Sequence, residues 1–415
     1  MPTRSSESRV VFQYPNFLYH AGARVLSVFA SEMQAVAVGW QLYGLTHRPL
    51  DLGLVGLAQF LPGILLFLVA GHAADRFPRK NILQFCMAGY ALVPLSLAAF
   101  TLSGFPAVYP IYLVLLLNGT GRAFSMPASQ ALLPTLVPKE HFAKAVAWGS
   151  SWFQMATIFA PMAGGLIYGM TGSPLPVYAC SAVLYGAAFL SVSRIQMKAV
   201  ERTAKAAAPE MVFEGLRYIW KNKFVLGAIS LDLFAVLLGG AVALLPVYAR
   251  EILSVGAFGL GILRSAPGMG AIVMALVLAH HPLGRRQGTI MLWCVFGFGL
   301  FTMVFGLSRS VALSLVALAF TGACDMVSVV VRSTMVQLRT PDHMRGRVSA
   351  VNMVFIGASN EVGQFESGIT AQWFGSVPAV VLGGIGTIVV VTAWTWLFPE
   401  LRQAQETVGA GARGQ

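Results

Sequence analysis

Five carboxylates stand where solubility does not explain them. Asp325, Glu366, Glu361, Glu32 and Asp232 each interrupt a long apolar run, and Arg122 and Arg332 do the same. A charge withdrawn from water is costly, and one retained in such a run marks a partner or a task. Loss of water favours the neutral acid, so carboxylates at that depth suit reversible protonation. Guanidiniums in similar places suit the binding of anionic groups or the tuning of a nearby acid.

Placing these runs on helical wheels at 100° per residue sorts the polar side chains into stripes. In the first run, Arg24, Ser27, Ser31, Gln34 and Gln41 share a face; in the fourth, Asn118, Arg122, Ser125 and Ser129 do so. Ser314, Thr321, Asp325, Ser328 and Arg332 make a third stripe in the tenth. In the eleventh, Glu366 falls with Asn352, Ser359 and Thr370, whereas Glu361 lies roughly opposite, nearer Gly357 and Gln364. Glu32 is about 130° from its stripe, which leaves both a structural partner and a proton site open. Asp232 is a further carboxylate candidate, and Trp40, Phe124 and Phe234 are candidate substrate contacts.

The elements that hold these residues follow from composition. Of 415 residues, 56% are hydrophobic and 11% charged, with a mean hydropathy of +0.71. A soluble domain carries about 25% charged residues, so this chain lacks the charge to cover itself in water. In lipid each spanning segment must satisfy its own backbone, which restricts it to helices or a closed barrel. The apolar runs, from Tyr19–Leu45 to Pro378–Leu397, are helix-length, and strand-length alternation is not seen. The expected fold class is all-α integral membrane protein with twelve transmembrane helices, and no cleavable signal peptide.

The net charge of +12 reads as topology. With a cytoplasmic N-terminus, Arg76, Arg79, Lys80, Lys139, Lys144, Lys198, Lys205, Lys221, Arg285, Arg286, Arg345 and Arg347 fall on the inner side, and Arg48, Arg250 and Arg309 on the outer. Both termini are then cytoplasmic, and no nucleic-acid role is needed. Cys86, Cys180, Cys294 and Cys324 are scattered and form no Cys-x-x-Cys pair, so no metal or redox site is expected. For the vicinal His280 and His281, interfacial packing is favoured over a metal role.

The chain divides near its middle: 1–196 a six-helix half, 197–223 a polar linker, 224–400 a second six-helix half, and 401–415 a tail. Phe213, Leu216, Ile219 and Trp220 fall at helical spacing, as in an amphipathic helix lying on the inner leaflet or a frayed start to the seventh span. The halves match at an offset of roughly 203 to 205 residues, the relation seen in transporters built from parallel repeats. Val137-Pro138-Lys139-Glu140 corresponds to Thr340-Pro341-Asp342-His343, and Pro62-Gly63 to Pro267-Gly268. Arg122 and Asp325 are repeat equivalents, so they are expected to face each other across a central cavity or to form a fixed bridge.

The stretch Gly71-His-Ala-Ala-Asp75-Arg76-Phe-Pro78-Arg79-Lys80 resembles the signature of the major facilitator superfamily between its second and third helices, with Pro78 where glycine is usual. The resemblance implies that Asp75 docks at the start of the eleventh helix, beside Arg345 and Arg347, as a cytoplasmic gate with Gly71, Arg76, Arg79 and Lys80. It also implies that the first, fourth, seventh and tenth helices line the cavity. Val36-Ala-Val-Gly39-Trp40-Gln41-Leu-Tyr43, Arg345-Gly346-Arg347-Val-Ser-Ala-Val-Asn352 and Ser359-Asn360-Glu361-Val-Gly363-Gln364-Phe-Glu366-Ser-Gly368 resemble the enterobactin-exporter-like bacterial efflux branch.

The resemblance implies a secondary transporter of the inner membrane that exports a drug-like or siderophore-like small molecule by proton-coupled alternating access, as a monomer without cofactor. A lipid or lysophospholipid flippase, an importer, and sodium as coupling ion remain alternatives. Ala160-Pro161-Met-Ala-Gly164-Gly165 partly resembles the superfamily's antiporter motif, and close helix packing is the favoured reading of it. No Gly-Lys dipeptide exists for a phosphate loop, and the seven histidines are dispersed, so neither an ATPase nor a membrane enzyme is expected.

Overall fold

The computed structural model describes residues 10–104, 107–196, 209–281 and 286–403, and these are helical without strands. Twelve rods follow in chain order. They are α1 (Pro15–Thr46), α2 (Pro49–Leu65 and Phe67–Arg76), α3 (Arg79–Ser103), α4 (Tyr109–Leu132), α5 (Lys139–Thr171) and α6 (Leu175–Ser193). A linker helix (Pro209–Lys221) precedes α7, which is continuous over Lys223–Gly239 and then runs through 3-10 and π turns to Ile252. The set closes with α8 (Gly256–His280), α9 (Gln287–Leu307), α10 (Val311–Arg339), α11 (Asp342–Phe374) and α12 (Ser376–Leu397).

Seven of these are, each alone, long and apolar enough to cross a membrane: α3, α6, α7, α8, α9, α10 and α12. The other five have identifiable reasons to fall short. Helix α2 is interrupted at Leu66, four residues after Pro62, although Leu66 N–H still reaches the Pro62 carbonyl at 2.9 Å. Helices α1, α4, α5 and α11 are 24 to 33 residues long but carry polar and charged residues within their length, which dilutes their hydropathy. Proline and glycine set the ends: α5 follows Pro138 and stops at Gly172, whose φ of 65° suits a left-handed cap.

The chain forms two compact units. One comprises Met1–Ala207 with Ser254–Ser265, the other Ala208–Leu253 with Ala266–Gln415. Helix α8 therefore divides between the units at Ser265 and Ala266, next to Pro267.

In the first unit α1 packs on α5 and α6, α3 lies against α4 and α6, and α2 against α4. Phe17, Leu132, Tyr185 and Ile195 are among the fully buried side chains. Helix α5 comes close to α1 because Gly164 has no side chain: a Cβ there would lie 2.9 Å from the Met33 backbone. Small-residue packing thus accounts for Gly164. In the second unit α9 packs on α10 and α12, α7 on α11 and α12, and the linker helix on α11. Ile219 of the linker helix is buried there while Trp220 is exposed, so the two do not share one environment; Phe213 lies outside the described side chains.

Candidate functional site

In the second unit, the α10 stripe meets α7. Asp232 and Arg332 form an ion pair whose side chains are only 9% and 4% exposed. Arg332 stands seven residues, two turns, after Asp325, with Ser328 between them on the same face. Asp232, Asp325 and Ser328 line one small cavity with Ala235, Val236, Val295, Phe298 and Cys324. Thr321, one turn before Asp325, is buried and donates its hydroxyl to the Leu318 carbonyl. The cluster thus sets two carboxylates against one guanidinium. Asp232 is the sealed partner, and Asp325 is partly exposed in the cavity wall.

Two further carboxylates stand on α11. Glu361 is 7% exposed and accepts a hydrogen bond from the Gln364 amide at 3.1 Å. Glu366 accepts one from the Thr370 hydroxyl at 2.8 Å. The next residue, Ser367, donates to the Gly240 carbonyl at 3.0 Å, at the point where α7 leaves its regular helix.

In the first unit, Glu32 of α1 meets Arg264 of the 254–265 segment at 3.4 Å, with both side chains about one quarter exposed. Arg264 was not among the residues the sequence singled out, although a lone arginine in the apolar α8 is the same kind of signal as Arg122. Its neighbour Ser265 donates to the Ile158 carbonyl of α5 at 2.5 Å.

The α1 stripe splits. Gln34 is 2% exposed, and Gln41 is held by Thr101 of α3 at 2.9 Å and by the Tyr178 hydroxyl of α6 at 2.6 Å. Ser31 bonds Tyr185 of α6, and Ser27 reaches the Met87 sulfur of α3 at 3.0 Å. These four face into the bundle. Arg24 is exposed, with its guanidinium 4.8 Å from the centre of the Phe153 ring on α5. On α4, Asn118 is buried, Arg122 is exposed, and Ser125 bonds the Tyr90 hydroxyl at 2.8 Å.

The basic residues of the signature loop serve helix ends. Arg79 donates to the Ala131 carbonyl in the last turn of α4 at 2.6 Å, and Lys80 to the Ser193 carbonyl ending α6 at 2.8 Å. Cations at helix C-termini meet unsatisfied carbonyls and the negative end of the dipole. Gly71 and Arg76 lie in the second piece of α2 with Asp75, whose side chain is outside the described set. Arg345 pairs with Asp342 at 2.7 Å and donates to the Gln337 carbonyl at 2.9 Å, so it closes the end of α10. Arg347 pairs with Glu214 of the linker helix at 2.5 Å, a contact the sequence did not reveal. Among the described residues no cluster of His, Cys, Asp and Glu is arranged to hold a metal ion.

Twelve helices in this order, with polar stripes on them and charged clusters inside both units, define a multi-pass secondary transporter of the major facilitator superfamily. Solved structures agree on the fold. The nucleoside transporter NupG aligns with a TM-score of 0.71 at 14% identity, covering 92% of this chain and 99% of that one. A bacterial homologue of the iron transporter ferroportin in its inward-facing state aligns with a TM-score of 0.69 at 12% identity, covering 92% and 98%.

Within that class, the chain belongs to the family of the transmembrane secretion effectors, whose model matches residues 12–410. It is 26% identical over 388 residues to the enterobactin exporter EntS of Shigella boydii serotype 4 (strain Sb227), covering 93% of this chain and 92% of that protein. The enterobactin exporter EntS of Escherichia coli O1:K1 / APEC is 25% identical with the same coverage. By family the chain is a transporter of the bacterial inner membrane and not an enzyme.

Proposed function

We propose that this protein exports a small molecule, siderophore-like or drug-like, by proton-coupled alternating access, with Asp325 as the proton-exchanging carboxylate. The observation that carries the reading is the charge balance of the α7–α10 cluster. Arg332 is engaged by Asp232, so Asp325, on the same cavity, is the surplus acid. One proton on Asp325 brings the cluster to neutrality, and its release restores one negative charge in a water-poor place. A proton drives a cycle only when its affinity differs between the two access states. A surplus carboxylate whose hydration changes with access meets that requirement. Glu366, Glu361 and Glu32 are the remaining carboxylates that this cycle can draw on.

The names of the two exporters similar to this chain support outward transport. The distribution of basic residues supports cytoplasmic termini, with the 1–196 and 224–400 halves rocking about a midplane site and the chain working as a monomer. In this reading Asp75, Arg345 and Arg347 belong to the cytoplasmic gate.

The test is substrate-triggered proton flux in proteoliposomes with a lumenal pH dye, offering a catechol siderophore, a lipophilic cation and a lysophospholipid in turn. One compound class should trigger flux in the wild type, and Asp325→Asn should abolish the proton signal. Undiminished proton flux in Asp325→Asn overturns the assignment, and compound movement without any proton flux overturns proton coupling.

A further inference from the structure

Helix α7 is not one α-helix from end to end. It leaves its regular helix at Gly240, runs through 3-10 turns over Ala241–Leu244, and ends in a π turn over Tyr248–Ile252. Such a break frees carbonyls from their helical N–H partners, and in a water-poor place neighbouring groups must bond them. Helix α11 supplies one. Ser367, buried on α11, donates its hydroxyl to the Gly240 carbonyl at 3.0 Å. Gly363, one turn earlier on the same face, permits the approach, since a Cβ there would lie 2.8 Å from the Leu237 carbonyl oxygen.

Ser367 has a second neighbour. The Glu366 carboxyl is bonded by the Thr370 hydroxyl at 2.8 Å and lies within hydrogen-bonding reach of the Ser367 hydroxyl. A hydroxyl has one hydrogen to give and two lone pairs to receive. While Ser367 gives its hydrogen to Gly240, its oxygen can only accept from Glu366, and that requires a proton on the acid. An ionised Glu366 can only accept, and a charge-assisted bond is about twice as strong as a neutral one. The single hydrogen of Ser367 is therefore contested by a carboxylate and by the α7 break.

The other titratable groups on the packed elements are engaged elsewhere or stand away from the break. On α7, Asp232 pairs with Arg332, Tyr248 donates to the Gly306 carbonyl, and Arg250 and Glu251 lie ten or more residues past Gly240. Helix α12 has none over Ser376–Leu397. The linker helix meets the opposite end of α11, where Glu214 pairs with Arg347, and Glu361 of α11 itself is bonded by Gln364.

We propose that Ser367 is the positioning residue through which the proton on Glu366 controls the α7 break. With the acid protonated, Glu366 donates to Ser367 and Ser367 donates to Gly240, so the break is held. When the proton leaves to solvent, the Ser367 hydrogen turns to the carboxylate, Gly240 loses its donor, and α7 loosens beyond it. Glu366 is partly exposed on a spanning helix, and an ionisable group kept there faces water and not hydrocarbon. The proposal gives the exporter a second proton-responsive group and rests on that reading for its use in transport.

The test is hydrogen exchange of the full-length protein in nanodiscs from about pH 5 to about pH 9, expressed as protection relative to unstructured peptide. Protection of Ala241–Ile252 should fall about fivefold as pH rises, the change expected for one lost hydrogen bond. Protection of α9 should stay constant and reports that each variant is folded. Glu366→Gln, whose amide donates as the neutral acid does, should keep the high protection at every pH. Ser367→Ala should show the low protection at every pH, and Ser367→Thr, which retains the hydroxyl, should restore the pH dependence. Asp325→Asn should leave the fall in place.

A wild type without the fall, or a fall that persists in Glu366→Gln or in Ser367→Ala, overturns the switch. Loss of the fall in Asp325→Asn but not in Glu366→Gln overturns it too and assigns the effect to Asp325. The fall without proton flux in proteoliposomes leaves the switch and removes proton-coupled export; proton flux without the fall does the reverse.

Discussion

Asp232→Asn and Asp325→Asn remove the same charge from the same cavity, yet they should differ in kind. Asp232 is the partner of Arg332, and both are more than nine-tenths buried. Removing one member of a buried pair costs about 3–5 kcal/mol, because the remaining charge loses its compensation. Asp325 lies on the same face of α10 as Arg332 and lines the same cavity as Asp232. It is placed to take over part of that compensation, which lowers the expected cost to roughly 1–3 kcal/mol. Asp325→Asn leaves the pair intact and should cost less than about 1 kcal/mol.

The double variant removes both carboxylates and should exceed the sum of the singles by at least about 1 kcal/mol, since the two acids share one cation. The assay is reversible unfolding in mixed detergent–SDS micelles, with the four variants compared as a cycle. Strict additivity, or a larger loss for Asp325→Asn than for Asp232→Asn, would refute the shared-cation argument. In that event Asp325 would be the structural partner and Asp232 the better proton candidate.

Two more outcomes follow from close approaches inside the second unit. Gly322 of α10 lies against the Pro267 backbone of α8, so Gly322→Val should separate the helices and lower the unfolding free energy by about 2 kcal/mol or more; an unfolding free energy within error of wild type would mean the crossing is loose. Gly215 of the linker helix would carry a Cβ 2.9 Å from the Arg347 carbonyl, whereas the Glu214–Arg347 pair is partly exposed, with side chains 56% and 31% accessible. Gly215→Val should therefore raise hydrogen exchange across Pro209–Lys221, and Glu214→Gln should leave it nearly unchanged, as an exposed pair contributes about 0–1 kcal/mol; the opposite ranking would make the ion pair the anchor.

Much of this molecule is legible without coordinates. Apolar runs of helix length with few charges determine helices in lipid, because an unsatisfied backbone is not tolerated there. The Gly71–Lys80 loop and the stretches around Arg345 and Glu361 determine the family, which the match over residues 12–410 bears out. The wheel on α10 puts Asp325, Ser328 and Arg332 on one face without coordinates, since that relation is local and depends only on 3.6 residues per turn.

Partners across helices were decided by tertiary structure alone. Arg332 is sealed by Asp232, 100 positions away, and Glu32 meets Arg264, 232 positions away. Periodicity cannot show this, because it gives each helix a polar face but not the neighbour which that face meets. For the same reason the α1 stripe did not stay together: Gln34 and Gln41 turned into the bundle while Arg24 stayed exposed. The packing of α1 on α5 and α6 divides a stripe that the wheel draws as one. Sequence determined which side chains are costly to bury; the crossing of the helices decided which charges neutralise one another and which are left to act.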